Sequence, residues 1–344
     1  MGRTRNKIIA AVCVVVLASL AAVTIALAGG KPPPPKPRRT TAPSPSPSVT
    51  QAPVSEQLLS PFTGEPVSSL GPVLAVKIDN IVYARPQTGM IGADIVYVLP
   101  VEGGLTRFLA IFSSHFPPVI GPVRSTRKDD LELLAQFGRP AFAFSGAQAQ
   151  LLPVVERARI VDLYAGRVNG YYRGDQRIAP YNLYATTKTL LAESAGASKA
   201  HSIGFRFGPA PAGGQVTSSK IVSYPAAKYA FTWSPTKQRW LVSMDGTPAT
   251  TTAGLRLAPA TVVIQHTIVR KSGFLEYGFP PPYAETVGHG TAIVLRNGKA
   301  YNVTWSRPTL NGGTTYTTAS GQPMTFAPGQ VWILLVGNPV IESG

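Results

Sequence analysis

The run Val73-Leu-Ala-Val-Lys-Ile-Asp-Asn80 decides the fold of this 344-residue chain, because it has the pattern of a buried strand. Every residue before Asp79 is apolar except Lys77, and the run ends on two polar residues. Two similar runs follow at Asp94–Val98 and Thr106–Phe112. We therefore predict three strands in this region, the first of which delivers Asp79 and Asn80 at its end.

Helical patterns alternate with the predicted strands through residues 58–208. Leucines and Phe137 recur at helical spacing over Arg127–Phe137, where Ser125 or Thr126 can act as the N-cap. Other helices are predicted at Pro86–Ala93, at Gly146–Val155 and from Thr186 or Thr187 to Ala195, and other strands at Ala141–Ser145 and Ile160–Leu163. This alternation predicts an N-terminal α/β domain over residues 58–208.

Helical periodicity fades after the segment Gly208–Gly214, which is rich in Gly, Pro and Ala. Asn297-Gly298 lies between two apolar runs and predicts a hairpin with a type I′ turn. The predicted strands are Tyr229–Trp233, Arg239–Val242, Thr261–Thr267, Thr291–Arg296, Lys299–Trp305 and Gln330–Val336. We therefore expect an α+β fold in which a smaller, mostly antiparallel β domain over residues 215–341 follows the α/β domain.

Residues 1–28 have the composition of a targeting segment. The start is positively charged, and Ile8–Ala28 is a run of 21 residues without a charge, long enough to span a bilayer. Ala26-Leu-Ala28 also has the small-x-small form of a cleavage site. The segment predicts either an uncleaved single-pass anchor or a signal peptide that is removed near Ala28. In both cases the remaining chain lies outside the cytoplasm.

Residues 29–57 predict a disordered, Pro-rich linker that carries the folded part away from the membrane. The only cysteine, Cys13, lies within the apolar run, so no disulfide can form within one chain. The exported part must be held together by ordinary packing.

The chain is basic, with 32 Lys and Arg against 16 Asp and Glu. This balance is compatible with an anionic cell-wall component, with membrane headgroups or with nucleic acid. Export and the absence of a basic cluster with interleaved aromatic residues disfavour nucleic acid. An extracytoplasmic protein remains the other candidate partner.

Candidate functional residues are concentrated in two segments, Val101–Arg107 and Gly121–Arg127. They place one carboxylate and three guanidinium groups beside apolar strands, where charges must be paired with each other or serve a ligand. Arginine favours the binding of carboxylate or phosphate over proton transfer. The predicted ligand-binding residues are Asp79, Asn80, Arg85, Glu102, Arg107, Arg124, Ser125, Arg127, Arg177 and Asn182.

Two other interpretations of these segments stay open. The same charges can form an internal ion-pair network, or Glu102 and Asp79 can act as the acid and base of a glycan or peptide hydrolase or transferase. Ser125-Thr-Arg-Lys128 has the Ser-x-x-Lys form of penicillin-binding proteins, and Lys271-Ser-Gly273 resembles their Lys-Thr-Gly element, but the Ser-x-Asn element between them is missing. No spacing of His, Cys or acidic residues predicts a metal site, and no motif predicts a cofactor.

Several motifs occur in an order that resembles the YerB-like family of bacterial extracytoplasmic lipoproteins. The resemblance runs over about residues 58–340 through Pro61–Pro66, Asp79-Asn80, Ala84–Gly89, Ala93–Tyr97, Val101–Arg107, Gly121–Arg127, Ala179–Tyr184, Gly288–Gly290, Asn297–Lys299, Thr304-Trp305 and Phe326–Gly329. It implies an α/β domain followed by a β domain, in a family without an established biochemical function.

The chain departs from the family pattern at three points. Val98 stands where an acidic residue is expected, Tyr181 replaces a histidine, and the lipid-bearing cysteine is missing. The loss of an acid and a histidine weakens an acid–base mechanism and leaves the arginines in place. We therefore expect a binding or scaffold role more than catalysis.

Overall fold

The computed structural model describes Pro34 and residues 57–337, except 276, 277 and 279. The predicted anchor or signal peptide at residues 1–28 lies outside the described residues, and so does almost all of the predicted linker. Within the described part, no helix combines the length and the apolar character that a bilayer crossing requires. The residues from 57 onward belong to one compact unit, Ser55–Gly344.

The described residues form a mostly β fold. The first nine strands are β1 (Leu74–Asp79), β2 (Ile95–Pro100), β3 (Thr106–Phe112), β4 (Val119–Ile120), β5 (Ala141–Phe144), β6 (Val161–Tyr164), β7 (Tyr171–Arg173), β8 (Leu183–Thr186) and β9 (Arg206–Phe207). The strands after residue 208 are β10 (Gln215–Val216), β11 (Ser219–Tyr224), β12 (Ala227–Ser234), β13 (Arg239–Met244), β14 (Thr247–Pro248), β15 (Thr261–His266), β16 (Val269–Lys271), β17 (Pro282–Ala284), β18 (Gly288–Arg296), β19 (Lys299–Arg307), β20 (Thr315–Thr318), β21 (Thr325–Phe326) and β22 (Val331–Val336).

A mixed sheet of 11 strands forms the centre of the fold. Its order is β10-β19-β18-β15-β22-β2-β3-β1-β5-β6, and β20 also pairs with β19. Strands β1, β2, β5, β6, β15 and β22 run in one direction, whereas β3 lies antiparallel between β1 and β2. The carboxyl ends of β1, β2 and β22 therefore meet at the same edge of the sheet.

The predicted segments 58–208 and 215–341 contribute to the same sheet. Strand β2 of the first segment pairs in parallel with β22 of the second, with Val98 opposite Leu334. Smaller sheets, with orders β11-β12-β13-β14, β4-β8-β7, β16-β17 and β21-β9, surround it. The division into two domains stays a prediction from sequence, and strands from both sides of it pair in one sheet.

Each face of the central sheet is covered by its own apolar core. On one face, alternate residues of β1 and β3 pack against the sheet β11–β14, and Trp240 and Trp332 are fully buried. On the other face, the intervening residues pack against helical segments that include Leu133 and Phe137. Burying a large apolar side chain contributes about 1.5–3 kcal/mol, so these two cores supply most of the driving force for folding.

The helices are fewer and shorter than the sequence predicts. They are α1 (Lys128–Leu134), α2 (Leu152–Arg157) and α3 (Thr187–Ala192), and single 3₁₀ turns lie at Val82–Ala84, Met90–Gly92, Glu102–Gly104, Ala135–Phe137 and Ala149–Leu151. The predicted helix Pro86–Ala93 is wrong: Gly89 has a φ of 82°, which a right-handed helix cannot contain, and only the turn Met90–Gly92 forms. The predicted α/β character of residues 58–208 is therefore shown only in part.

The strand predictions agree closely with the structure. Strand β3 covers Thr106–Phe112, as predicted, and β1 and β22 begin one residue later than predicted. Asn297 and Gly298 join β18 to β19 and have φ values of 49° and 70°. Two successive positive φ values are those of a type I′ turn, so the predicted hairpin is confirmed.

Candidate functional site

A cleft of about 1470 Å³ lies where the carboxyl ends of three strands meet. It is lined by Asp79 at the end of β1, by Pro100 at the end of β2 and by Gly337 directly after β22. Arg107 lies opposite Asp79 in the antiparallel pair β1–β3 and also lines the cleft. Ligands of open α/β sheets commonly bind outside the carboxyl ends of strands, and this edge has the same arrangement.

The loop 121–127, which follows β4 in the chain, lies beside the end of β1 and brings its arginines to the cleft. Asp79 N donates to Pro122 O over 2.9 Å, and Arg124 N donates to Lys77 O over 2.8 Å. These backbone bonds fix the loop beside the strand, so Arg124 and Arg127 lie next to Asp79 and Arg107.

The turn Glu102–Gly104 forms another wall of the cleft. Gly103 and Gly104 have φ values of 69° and 71°, which favour glycine. A Cβ on Gly104 would lie 2.5 Å from Cβ of Pro225 in the hairpin between β11 and β12. Ala226 N of that hairpin donates to Gly104 O over 2.9 Å, so the turn requires a glycine where the two walls meet.

Glu102 and Arg127 form a bidentate ion pair. Nε and Nη2 of Arg127 donate to Oε1 and Oε2 of Glu102 over 2.6 Å and 2.9 Å. Burial opposes the charged carboxylate, but the hydrogen bonds and charge of Arg127, together with the charge of Arg107, hold the pKa of Glu102 below its usual value. Glu102 is therefore an ionised acceptor at neutral pH.

Asp79 and Arg124 form a second ion pair. Nε of Arg124 lies 3.0 Å from Oδ2 of Asp79, although this N–H does not point at the oxygen. Oδ1 of Asp79 accepts a hydrogen bond from Asn80 N over 2.9 Å. Asp79 and Glu102, the two carboxylates among the described lining residues, are thus both paired with arginines.

Arg107 is the third guanidinium of the cleft, and it forms no ion pair with a described residue. Its side chain is mostly buried, since the residue keeps 9% of its surface exposed. Nη1 donates to Ser125 O over 3.1 Å, whereas the buried Nε has no hydrogen-bond partner. Burial, with the neighbouring charge of Arg127, lowers the pKa of Arg107 to about 10, so it remains a cation at neutral pH.

Three cations from distant parts of the sequence also line the cleft, and none of them is among the ligand-binding residues predicted from sequence. They are Lys228 in β12 and Arg270 and Lys271 in β16. Arg270 pairs with Glu285, whereas Lys228 and Lys271 form no ion pair with the residues that the structure describes. The described residues thus contribute six cations and two carboxylates to the cleft lining, an excess of positive charge. No spacing in the sequence links these cations with Arg107.

The loop that carries the arginines rests on a buried ion pair. Nζ of Lys77 lies 2.6 Å from Oδ1 of Asp130, and both side chains are fully buried. Oδ2 of Asp130 accepts hydrogen bonds from Arg127 N over 2.7 Å and from Thr126 Oγ1 over 3.1 Å. Asp130 therefore joins β1, the loop and the start of α1.

Four of the predicted ligand-binding residues lie outside the cleft lining. Asn80 is buried and bonds to Thr106 Oγ1 and Tyr229 Oη, while Arg85 donates to Asn80 O and pairs with Asp245. The other two bond within the protein framework: Arg177 donates to Tyr184 Oη and Pro86 O, and Asn182 bonds to Gly174 and Arg173. The structure brings together the remaining six, which are Asp79, Glu102, Arg107, Arg124, Ser125 and Arg127.

Two residues that depart from the family pattern, Tyr181 and Val98, lie in different parts of the fold. Tyr181 lines the cleft, and its ring lies 5.7 Å from that of Tyr83 at the rim. Val98 is fully buried in β2 and packs in the core. The replacement at Tyr181 thus changes the cleft surface, whereas Val98 takes part in core packing.

The Ser-x-x-Lys match does not form a catalytic pair. Ser125 precedes α1, its Oγ lies 3.4 Å from Oγ of Ser145, and Nζ of Lys128 lies over the ring of Tyr283. Because α1 begins at Lys128, Ser125 and Lys128 do not lie on one helix as this motif requires. Among the described residues no three His, Cys, Asp or Glu side chains come together as a metal site.

Comparisons with known proteins identify the family. Residues 62–201 match the family described as "Protein of unknown function (DUF3048) N-terminal domain", and residues 220–333 match its C-terminal domain. The chain is 46% identical over 78 residues to "Putative lipoprotein YerB" of Bacillus subtilis strain 168, an alignment that spans 22% of this chain and 23% of that relative. A crystal structure of YerB from Bacillus subtilis covers 84% of this chain and 100% of its own, with a TM-score of 0.72 and 23% identity, which shows a shared fold. Because both domain matches occur in order and together cover most of the folded chain, the protein belongs to the YerB-like family.

Proposed function

We propose that this chain is an extracytoplasmic cell-envelope protein that binds an anionic wall component in the cleft between β1, β2 and β22. The location is supported by the N-terminal apolar run and by the similarity to YerB, which its name places among the lipoproteins. Both predictions for the N-terminal segment, a retained anchor and a signal peptide that is removed on secretion, agree with this location.

The observation that carries the proposal is the state of Arg107. A buried guanidinium without a carboxylate partner is costly unless an anion completes its surroundings. Arg124 and Arg127 already neutralise Asp79 and Glu102, so the positive charge of Arg107 is left for a ligand. Lys228 and Lys271 add positive charge to the same cleft.

The geometry favours binding over hydrolysis. A glycosidase needs one carboxylic acid that stays protonated near neutral pH, and the low pKa of Glu102 opposes this role. Asp79 is held by Arg124. The alternative of acid–base chemistry by Glu102 and Asp79 therefore has less support than anion binding.

Calorimetry with glycerol 3-phosphate, with glycerol as the neutral probe, tests the proposal. We expect the phosphate compound to bind and glycerol not to bind, with an affinity that falls as NaCl concentration rises. Arg107→Gln should weaken binding by about tenfold or more, the equivalent of a charge-assisted hydrogen bond. Arg157→Gln, an exposed arginine outside the cleft lining, should change nothing.

The exposed Lys271 provides a second variant if Arg107→Gln reduces folding. Lys271→Gln should weaken binding by a few-fold without a change in melting temperature, because its side chain is solvated. Equal affinity of the wild type and both cleft variants would refute anion binding in this cleft.

A further inference from the structure

A second, smaller cavity of about 340 Å³ adjoins the cleft. Arg124 and Ser125 line both cavities, so a single loop forms the wall between them. The second cavity is also lined by Ser145, Tyr164 and Arg173, among others. An extended ligand that leaves the cleft past Ser125 would enter it.

The second cavity has the electrostatic character of the first. Two guanidinium groups, Arg124 and Arg173, line it, and none of its other described lining residues carries a carboxylate. Nη1 of Arg173 donates to the neutral Oδ1 of Asn182 over 2.8 Å, and the guanidinium forms no ion pair with any described residue. Each cavity therefore contains a guanidinium group that forms no ion pair with a described residue, Arg107 in the cleft and Arg173 in the second cavity.

Polar groups connect the two positions. Arg107 donates to the carbonyl oxygen of Ser125, and the hydroxyl of Ser125 lies 3.4 Å from that of Ser145 in the second cavity. Hydroxyl groups can donate to an anion or accept from a sugar or polyol hydroxyl. The path between the two arginines is thus lined by groups that suit a hydroxylated chain.

We infer that the cleft and the second cavity are two subsites for one linear anionic glycopolymer, whose acidic groups repeat along the chain. The inference rests on the proposed function and adds the ligand class: a polymer that places one acidic group near Arg107 and another near Arg173. A single small anion would fill only one subsite.

The test compares the affinities of glycerol 3-phosphate and of a poly(glycerol phosphate) hexamer for the folded wild-type protein. Six equivalent groups raise affinity about sixfold by statistics alone, whereas a second linked contact raises it by 10²-fold or more. We therefore expect the hexamer to bind about 100-fold more tightly than the monomer, or better. A galacturonate hexamer measured in parallel distinguishes a carboxylate polymer from a phosphodiester polymer as the source of the acidic groups.

Matched arginine variants show which subsite accounts for the higher affinity of the hexamer. Arg173→Gln should reduce the ratio of hexamer to monomer affinity to about the statistical value, because it removes the cation of the second subsite. Arg173 is exposed, so its replacement leaves the core intact. Arg107→Gln should weaken monomer and hexamer alike, and Arg157→Gln should leave the ratio unchanged.

The outcomes separate the two proposals. If neither the monomer nor any hexamer binds, the proposed function fails. If the monomer binds but the affinity ratio stays near six, or Arg173→Gln leaves it unchanged, the second subsite is refuted while the anion site stands. If a single-stranded DNA oligonucleotide of six phosphates binds as tightly as the best glycopolymer, the assignment to a glycopolymer is overturned.

Discussion

Replacement of Lys77 by methionine should destabilise the protein far more than an ordinary lysine substitution. Lys77 lies in β1 with Asp130 as its partner, 2.6 Å away, and neither side chain is exposed. Methionine keeps the length of the side chain and its apolar contacts. The substitution therefore removes the buried cation and little else.

The magnitude follows from what remains after the change. Asp130 keeps two donors, Arg127 N and Thr126 Oγ1, but loses its counter-charge, and the buried Asp129 lies beside it. At 2.6 Å and an effective dielectric constant of about 20, the lost attraction is at most about 6 kcal/mol. Removing one member of a buried pair typically costs 3–5 kcal/mol, and we expect a loss of that size in the free energy of unfolding.

The assay is equilibrium unfolding in guanidinium chloride of Lys77→Met, Asp130→Asn and the double variant. Since the double variant leaves neither charge unpaired, it should be more stable than the sum of the two single losses predicts. The control Lys237→Met, at an exposed lysine, should change stability by less than about 0.5 kcal/mol. A loss below about 1 kcal/mol for Lys77→Met, or strict additivity in the double variant, would refute the reasoning.

Two further predictions concern stability. Burial raises the pKa of Asp129 from 3.8 to about 7, so the native state binds a proton that the unfolded chain has released, and the free energy of unfolding should fall as pH rises from 5 to 7. Denaturant midpoints at several pH values should show a smaller fall for Asp129→Asn, whereas Asp175→Asn at the surface should keep the wild-type slope. Glu132 accepts hydrogen bonds from Thr286 N and Thr286 Oγ1 over 2.7 Å and 2.6 Å and joins α1 to the segment after β17. Thermal unfolding should show a loss of about 2–3 kcal/mol for Glu132→Gln and almost none for the exposed Glu156→Gln; equal losses would contradict the structural role of Glu132.

The central strands could be predicted because they are apolar on both faces. In β1, β3 and β22 every residue is buried, so a mostly apolar run marks each of them; Lys77 and Asp79 interrupt this run in β1, and Thr106 and Arg107 precede it in β3. This pattern depends only on local sequence. Their pairing does not: β2 finds β22 more than 200 residues later, and no local pattern encodes this contact.

The helices were harder to predict for a physical reason. Helical spacing of leucines appears wherever a short segment covers a sheet, whether or not the backbone completes several turns. Over Arg127–Phe137 the pattern correctly predicted a helix, but the α-helical part ends at Leu134 and a single 3₁₀ turn follows. Around Gly89 a positive φ prevents a helix altogether. Backbone conformation at single residues, which periodicity does not report, sets these lengths.

In the candidate site too, local sequence predicts which residues are present, whereas tertiary contacts decide how they pair. The sequence indicated that Glu102, Arg107, Arg124 and Arg127 lie near one another, because all four occur in two short segments beside predicted strands. It left open whether these charges form a closed network or a ligand site, since the answer depends on which charges pair. In the structure Arg124 and Arg127 pair with Asp79 and Glu102, and no described carboxylate pairs with Arg107, so the ion-pair network leaves one guanidinium without a counter-charge among the described residues. That imbalance, rather than the number of arginines, supports an anion as the missing partner.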